Sequence, residues 1–310
     1  MEMELPMDMI ELHLHLGGSW PHSFLCTIAD SETMVELNSF LDKIENCIDY
    51  VSGFQAFEII NKIVDSESKV EAGVVALCES LIGEGVQYVE IRTGLKKLGE
   101  DGSFEGYLNA VLRGIAKGCV SGKLTATVIL SLRRSSSYSD ARATIDFIKA
   151  YRGRGVVGLD ISGNSVFGDG SDFLHLMEEI REENIPVTLH IGESTLESPT
   201  QQMLELTTII PRRIGHGVLL CDEAVNWILS HRVPVEMCLT SAARVGMVSA
   251  ENEHPAIAWW HMGHPVAVCT DDPLVFRTTL ANEYAKAAMH LGISLEQLRD
   301  AQKKMLDFKF

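Results

Sequence analysis

The chain has 310 residues, 46% of them hydrophobic, enough for a large core and suited in length to two ordinary domains or to one large α/β barrel. Its 26 basic and 43 acidic residues give a formal charge of −17, which argues against nucleic acid and anionic membranes as partners. Seven cysteines without a C-x-x-C pair, a start lacking basic and apolar leader regions, and no apolar run near the roughly 20 residues of a membrane span suggest a reduced, cytoplasmic protein.

Short apolar, β-branched runs alternate with segments of helical period. The predicted strands are residues 9–15 (MIELHLH), 86–92 (VQYVEIR), 124–132 (LTATVILSL), 156–162 (VVGLDIS), 185–191 (IPVTLHI), 212–217 (RRIGHG), 233–239 (VPVEMCL) and 265–271 (PVAVCTD). Between the first two, Val70, Val74, Leu77, Cys78 and Leu81 repeat at helical spacing and predict a helix over 66–82, ended by Gly83 and Gly85. Phe173, Leu176, Met177 and Ile180 predict another ahead of Asn184. Apolar strands strictly alternating with helices imply a parallel sheet, and eight such units close a (β/α)8 TIM barrel, here a single domain over residues 1–310. The interval 20–85 is longer than one crossover needs, so extra helices are expected between strands 1 and 2, beside the barrel mouth. The rival doubly wound sheet would usually carry G-x-G-x-x-G after its first strand, where this chain has HLHLGGSW.

Catalytic groups of a barrel sit at the carboxyl ends of its strands. Those ends carry His13 and His15, His190 with Glu193, His216, and Asp271 with Asp272. Each has an ordinary explanation: a lone histidine is usually just hydrogen-bonded, Glu193 could be a solvated acid, Gly163 a turn residue, and Asp272 before Pro273 a helix cap. His13 and His15 resist it, because side chains two apart on a strand share a face and two buried imidazoles each need a partner. His13, His15, His190 and Asp271 together form a good Zn²⁺ ligand set with a position left for water. His22, His175, His231, His254, His261, His264 and His290 fall mostly on predicted helices or in loops and are assigned structural roles. HMGH (261–264) leads into strand 8 at the wrong end of the barrel. Strand 4 ends without a lysine that could bridge two metals, which favours one ion.

The ordered motifs ELHLHLGGS, VVGLDISGN, LHIGES, RIGHG, EMCLTS and CTDDPLVF resemble the adenosine deaminase family over about residues 8 to 300, and within it the branch acting on N6-methyl-AMP. The resemblance implies that His13, His15, His190 and Asp271 hold one zinc and that Glu193 protonates purine N1. It further implies that His216 orients the attacking water and stabilises its developing charge, that Asp272 meets N7, and that the Gly163 N–H meets N3. The family usually has a longer leader before strand 1 and a further helical segment after the point that corresponds to MLDFKF, and this sequence departs from it in both.

Substrate choice turns on Gly17. Adenosine deaminases usually carry aspartate after H-x-H-L, at the ribose 5′-hydroxyl, and adenine deaminases glutamate; a small neutral residue removes an anion from where a 5′-phosphate would come. The candidate phosphate cations are Arg92, Lys96, Lys97, Arg133, Arg134 and Arg244, with Ser19, Ser135 and Thr240 as further donors. Of these Ser19, Arg92 and Arg133 join Gly17, Gly163 and Asp272 as the predicted substrate contacts. The expected reaction is N6-methyl-AMP plus water giving IMP and methylamine, in a monomer binding a small purine nucleotide or nucleoside. The alternatives are an adenosine deaminase and a barrel that binds without catalysing.

Overall fold

In a computed structural model, residues 8–45, 47–163 and 176–310 are described. Eight parallel strands run in sequence order around a barrel: β1 (Met9–His15), β2 (Val86–Thr93), β3 (Thr125–Arg133), β4 (Val156–Ser162), β5 (Val187–Ile191), β6 (Arg213–His216), β7 (Val235–Met237) and β8 (Val266–Val268). Every predicted strand is present, shortened in β5 to β8. Helices between strands bury one face against the sheet, and the helix predicted over 66–82 runs Glu67–Glu84. Gly83 does not end it; Gly85 does, at φ +91°, a left-handed conformation that glycine adopts without steric cost. The later helix is seen as Met177–Glu182; Phe173 and His175 lie outside the described residues.

The interval between β1 and β2 holds four helices besides the crossover helix: His22–Ile28, Ser31–Glu45, Tyr50–Gly53 and Gln55–Ile63. Phe54, Phe57 and Asn61 from this insertion form one wall of the cleft at the barrel mouth. Among the described residues no helix is long and apolar enough to cross a membrane.

Two features of β1 and β8 place the site. Pairing of β1 with β2 is irregular between Glu11 and Leu14, so the strand does not keep one alternation throughout. Ile10 and Leu12 join a small cluster with Tyr88, Cys238, Ala267, Cys269 and Met305, whereas Met9 and Leu14 belong to the main core. The His13 N–H is taken up at the irregularity by the buried carboxylate of Glu11, which also accepts from the Thr270 N–H and hydroxyl. Between β1 and β8 the backbone bonds are made at Asp271: the His15 N–H donates to the Asp271 carbonyl and the Asp271 N–H to the His13 carbonyl, both at 2.9 Å. Asp271 is thereby clamped between the two histidines by the same bonds that close the barrel.

Candidate active site

The side chains at the strand ends converge. His15 Nε2 lies 3.2 Å from His13 Nε2, 3.0 Å from His190 Nε2 and 3.4 Å from Asp271 Oδ1, and His13 Nε2 is 3.4 Å from that same oxygen. Ligand bonds of about 2.0–2.1 Å meeting at 90–110° place donor atoms about 2.9–3.4 Å apart, so these four side chains match the edges of a coordination shell. Three imidazoles and a carboxylate also suit a borderline-soft divalent ion. Among the described residues, His216 joins His13, His190 and Asp271 in one grouping of potential ligands, and a second grouping joins His15 and His190 to Asp160. Orientation separates them. His216 Nε2 faces Glu193 Oε1 at 3.5 Å, which places it between the ligand cluster and the acid.

Residues in the barrel interior fix the ligands. His13 Nδ1 is 2.8 Å from Glu236 Oε2, and His190 Nδ1 is 2.8 Å from Asp160 Oδ1. Carboxylates in these positions hold the imidazoles with Nε2 turned toward the cluster. The Ser241 hydroxyl donates to Asp271 Oδ2 at 2.6 Å, leaving Oδ1 for the cluster. Burial would raise the carboxyl groups of Asp160 and Glu236, but neighbouring cations prevail and hold both below the ordinary carboxylate range. Glu197 anchors the loop bearing the acid through the N–H groups of Gly192 and Glu193 at 2.7 and 3.0 Å. None of these four stood out among the strand ends. The available signal was an acid inside an apolar strand, as in GLDIS and PVEMC, because such a charge requires a partner.

The other groups face a cleft of about 990 Å³. Glu193 is buried, which pushes its carboxyl up to about 7, and its Oε2 has no partner. Burial first, then the adjacent Asp271 carboxylate, pushes Asp272 well above the carboxylate range, and its Oδ1 is likewise unpartnered. Burial keeps His216 neutral, and its Nδ1 makes no hydrogen bond. Buried polar atoms left unpaired cost free energy, so three of them around one cleft indicate that a polar ligand completes them. Asp271 and His216 also adopt left-handed backbone, at φ +69° and +61°, a strain of about 1–3 kcal/mol each of the kind concentrated at functional sites. The helix-cap role for Asp272 is not realised: the next helix begins at Leu280 and is capped by Thr279.

The predicted substrate contacts divide. Gly17, Arg133 and Gly163 line the cleft. A Cβ at Gly17 would stand 3.5 Å from Phe57, ordinary contact distance, so glycine leaves room there that a larger side chain would fill. Arg92 also borders the cleft, but it is fully buried and paired, donating to the Leu12 carbonyl, Glu236 and Asp160; it is a support under the cluster and no free cation. The Ser19 hydroxyl donates to the His15 carbonyl at 2.6 Å and is likewise occupied. Arg134 is held by Glu205, Arg244 lies 3.9 Å from Glu45, and Thr240 bonds Glu283 and Lys286. Of the remaining cations, Lys97 is exposed and stands over the Phe104 ring, 5.2 Å from its centroid, which leaves Lys96 and Arg133. Burial, and after it the charge of Arg133, pull the Lys96 ammonium down to about 8. Neither cation is paired with a carboxylate among the described residues; Lys96 donates only to the Asn61 side-chain oxygen, at 2.9 Å. Of the acids nearby, Asp65 is engaged by Lys69 and Asp140 by Ser137. His264, of the HMGH motif, donates to the Val233 carbonyl beneath the barrel.

Comparison with known proteins agrees with this geometry. Residues 9–310 match the adenosine deaminase family. The chain belongs to that family. The N6-mAMP deaminase of Arabidopsis thaliana is 30% identical over 100% of this chain and 94% of its own length, and the N6-methyl-AMP deaminase-L of Xenopus laevis is 28% identical over 98% and 89%. A crystal structure of Arabidopsis ADAL complexed with IMP superposes with a TM-score of 0.86 at 28% identity, covering 98% of this chain and 92% of that one.

Proposed function

We propose that this member of the adenosine deaminase family is a zinc-dependent aminohydrolase of purine nucleotides that converts N6-methyl-AMP and water to IMP and methylamine. The observation that carries the nucleotide reading is the pair Lys96 and Arg133: two mutually repelling cations in the same cleft as the histidine cluster, neither paired with a carboxylate among the described residues. A dianionic phosphate would satisfy both. The relatives named for N6-methyl-AMP, and the IMP complex, support it.

His13, His15, His190 and Asp271 would hold the metal. When bound, zinc supplies a water acidified to about neutral pH as the nucleophile. His216, neutral and beside Glu193, would accept a hydrogen bond from that water and steer it toward purine C6. Glu193, whose carboxyl burial raises to about 7, would donate its proton to N1, so that the ring does not carry negative charge as C6 becomes tetrahedral. Asp272 would contact N7 and the Gly163 N–H would contact N3, fixing the plane of the base. Collapse of the tetrahedral centre breaks the C6–N bond: the departing nitrogen takes up a proton that came from the attacking water and leaves as methylamine, while the proton left on the new C6 oxygen returns to Glu193. Gly17 would leave the approach to the 5′ position open and uncharged.

The test compares turnover of N6-methyl-AMP, AMP, adenosine and adenine by the zinc-loaded protein. N6-methyl-AMP is expected to be fastest; faster turnover of adenosine than of either nucleotide would overturn the reading.

A further inference from the structure

Beneath the site the barrel carries a network of buried charges beside the small apolar cluster of Ile10, Leu12 and Ala267. Glu236 is fully buried and accepts from four sides: Arg92 Nη2 at 2.5 Å, Arg213 Nε at 2.7 Å, Thr188 Oγ1 at 3.1 Å and His13 Nδ1 at 2.8 Å. Arg213, also fully buried, reaches on toward the barrel floor. Its Nη2 donates to Glu90 Oε2 at 2.5 Å and its Nη1 to the Phe308 carbonyl at 2.8 Å. The ring of Phe310 covers the guanidinium at 3.9 Å, and the Phe310 N–H donates to Glu90 Oε1 at 2.7 Å. A Cβ at Gly158 would stand 2.4 Å from Phe310 Cδ2, so β4 has room for this ring only because it carries glycine there. An unbroken run of polar contacts therefore leads from residues 308–310 to the imidazole of His13.

We infer that Arg213, locked in place by residues 308–310, is a positioning residue for the metal centre: it fixes the Glu236 carboxylate and thereby the ring orientation of His13. The inference rests on the zinc reading above. Its physical basis is the division of labour at Glu236. Arg92 and His13 share Oε2, while Oε1 is held by Arg213 and Thr188. Without the Arg213 Nε–H, Oε1 keeps only a hydroxyl that it shares with Oε2, and the carboxylate can turn. The Nδ1–H of His13 then loses a fixed acceptor, and Nε2 loses its fixed direction. Lysine cannot substitute, because three separate acceptors, Glu236, Glu90 and the Phe308 carbonyl, are met by three different nitrogens of one rigid fork.

The experiment measures zinc affinity by competition with a chromophoric chelator, and the visible absorption of the cobalt-substituted protein, for wild type, Arg213→Lys, Phe310→Ala and Ile228→Ala. Ile228 is buried in the helix Asp222–His231, and its truncation serves as a control that loosens packing away from the charged network. Wild type is expected to bind one zinc. Arg213→Lys should weaken zinc binding about tenfold, the lower end for a group that orients a ligand from outside the coordination shell. It should also shift the cobalt bands. Phe310→Ala should change both in the same direction by less, and it decides the matter if Arg213→Lys does not fold. Ile228→Ala should lower the melting temperature and leave affinity and spectrum alone. A wild type that takes up no zinc overturns the metal reading together with this one. Tight wild-type binding with unaltered affinity and spectrum in the Arg213 and Phe310 variants overturns the positioning role alone, as does an equal loss in Ile228→Ala.

Discussion

Removal of the Arg133 guanidinium should separate nucleotide from nucleoside substrates. In the free protein Arg133 and the half-buried Lys96 repel one another, and that repulsion together with burial brings Lys96 down to about 8. A phosphate placed between them replaces repulsion by two charge-assisted contacts, each worth about 1.5–3 kcal/mol when formed with an ionised partner. Arg133→Ala should forfeit one of them, which at 1.36 kcal/mol per decade is about a 10- to 150-fold rise in KM for N6-methyl-AMP. For N6-methyladenosine, which has no phosphate, the change should stay within about threefold. A second signature follows from the sign of the Lys96 shift. In the wild type, nucleotide KM should rise as pH passes through about 8, where the ammonium loses its proton; without Arg133 that rise should move to higher pH. Steady-state kinetics with both substrates at several pH values and salt concentrations checks this. Equal effects on nucleotide and nucleoside, or none on either, would show that the phosphate is not bound here.

The remaining predictions concern chemistry and stability. Glu193 is raised from the ordinary 4.5 to about 7 by burial and must be protonated to donate, so kcat should fall as pH rises through about 7. Glu193→Gln should lower kcat by about 10²–10⁴ while zinc content, read by metal analysis, is unchanged. At Gly18 a Cβ would stand 1.9 Å from Asp272 Oδ1, so Gly18→Ala must displace that carboxyl; kcat/KM should drop on the order of 100-fold, with the zinc still bound. Glu84, partly buried and raised to about 7 by that burial, accepts only the Leu280 N–H among the described residues. The folded state holds its proton more tightly than the unfolded chain, so the carboxylate destabilises the fold increasingly from pH 4.5 to 7 and by a constant amount above that. Glu84→Gln should therefore raise the melting temperature at pH 8, by about 1 kcal/mol of stability after allowance for partial exposure, and should not raise it near pH 4.5. An equal gain at both pH values would contradict this assignment.

Much of the site was legible because a strand's period of two needs no tertiary information. His13 and His15 had to share a face, and polar residues ending apolar strands had to gather at one rim once the strands formed a parallel barrel. The local irregularity in β1 was not legible, since Ile10 and Leu12 look identical in sequence to strand residues of either face. Nor were the supporting acids, whose partners come from distant strands: Glu236 meets His13, Arg92 and Arg213 only across the closed barrel.

The cations show the boundary most clearly. Sequence offered Arg92, Lys96, Lys97, Arg133, Arg134 and Arg244, and the choice of Arg92 and Arg133 from among them could not rest on charge alone. Folding ranked them by supplying or withholding carboxylates: Asp160 and Glu236 neutralise Arg92, Glu205 neutralises Arg134, and among the described residues none is paired with Lys96 or Arg133. The sequence by itself determined the alternation of strands and helices, the paired imidazoles and the acids at the strand ends, because local periodicity and residue chemistry suffice for those. Only the tertiary structure decided which charges are already satisfied, because a buried ion's partner is chosen by proximity in space and the chain order carries no record of it.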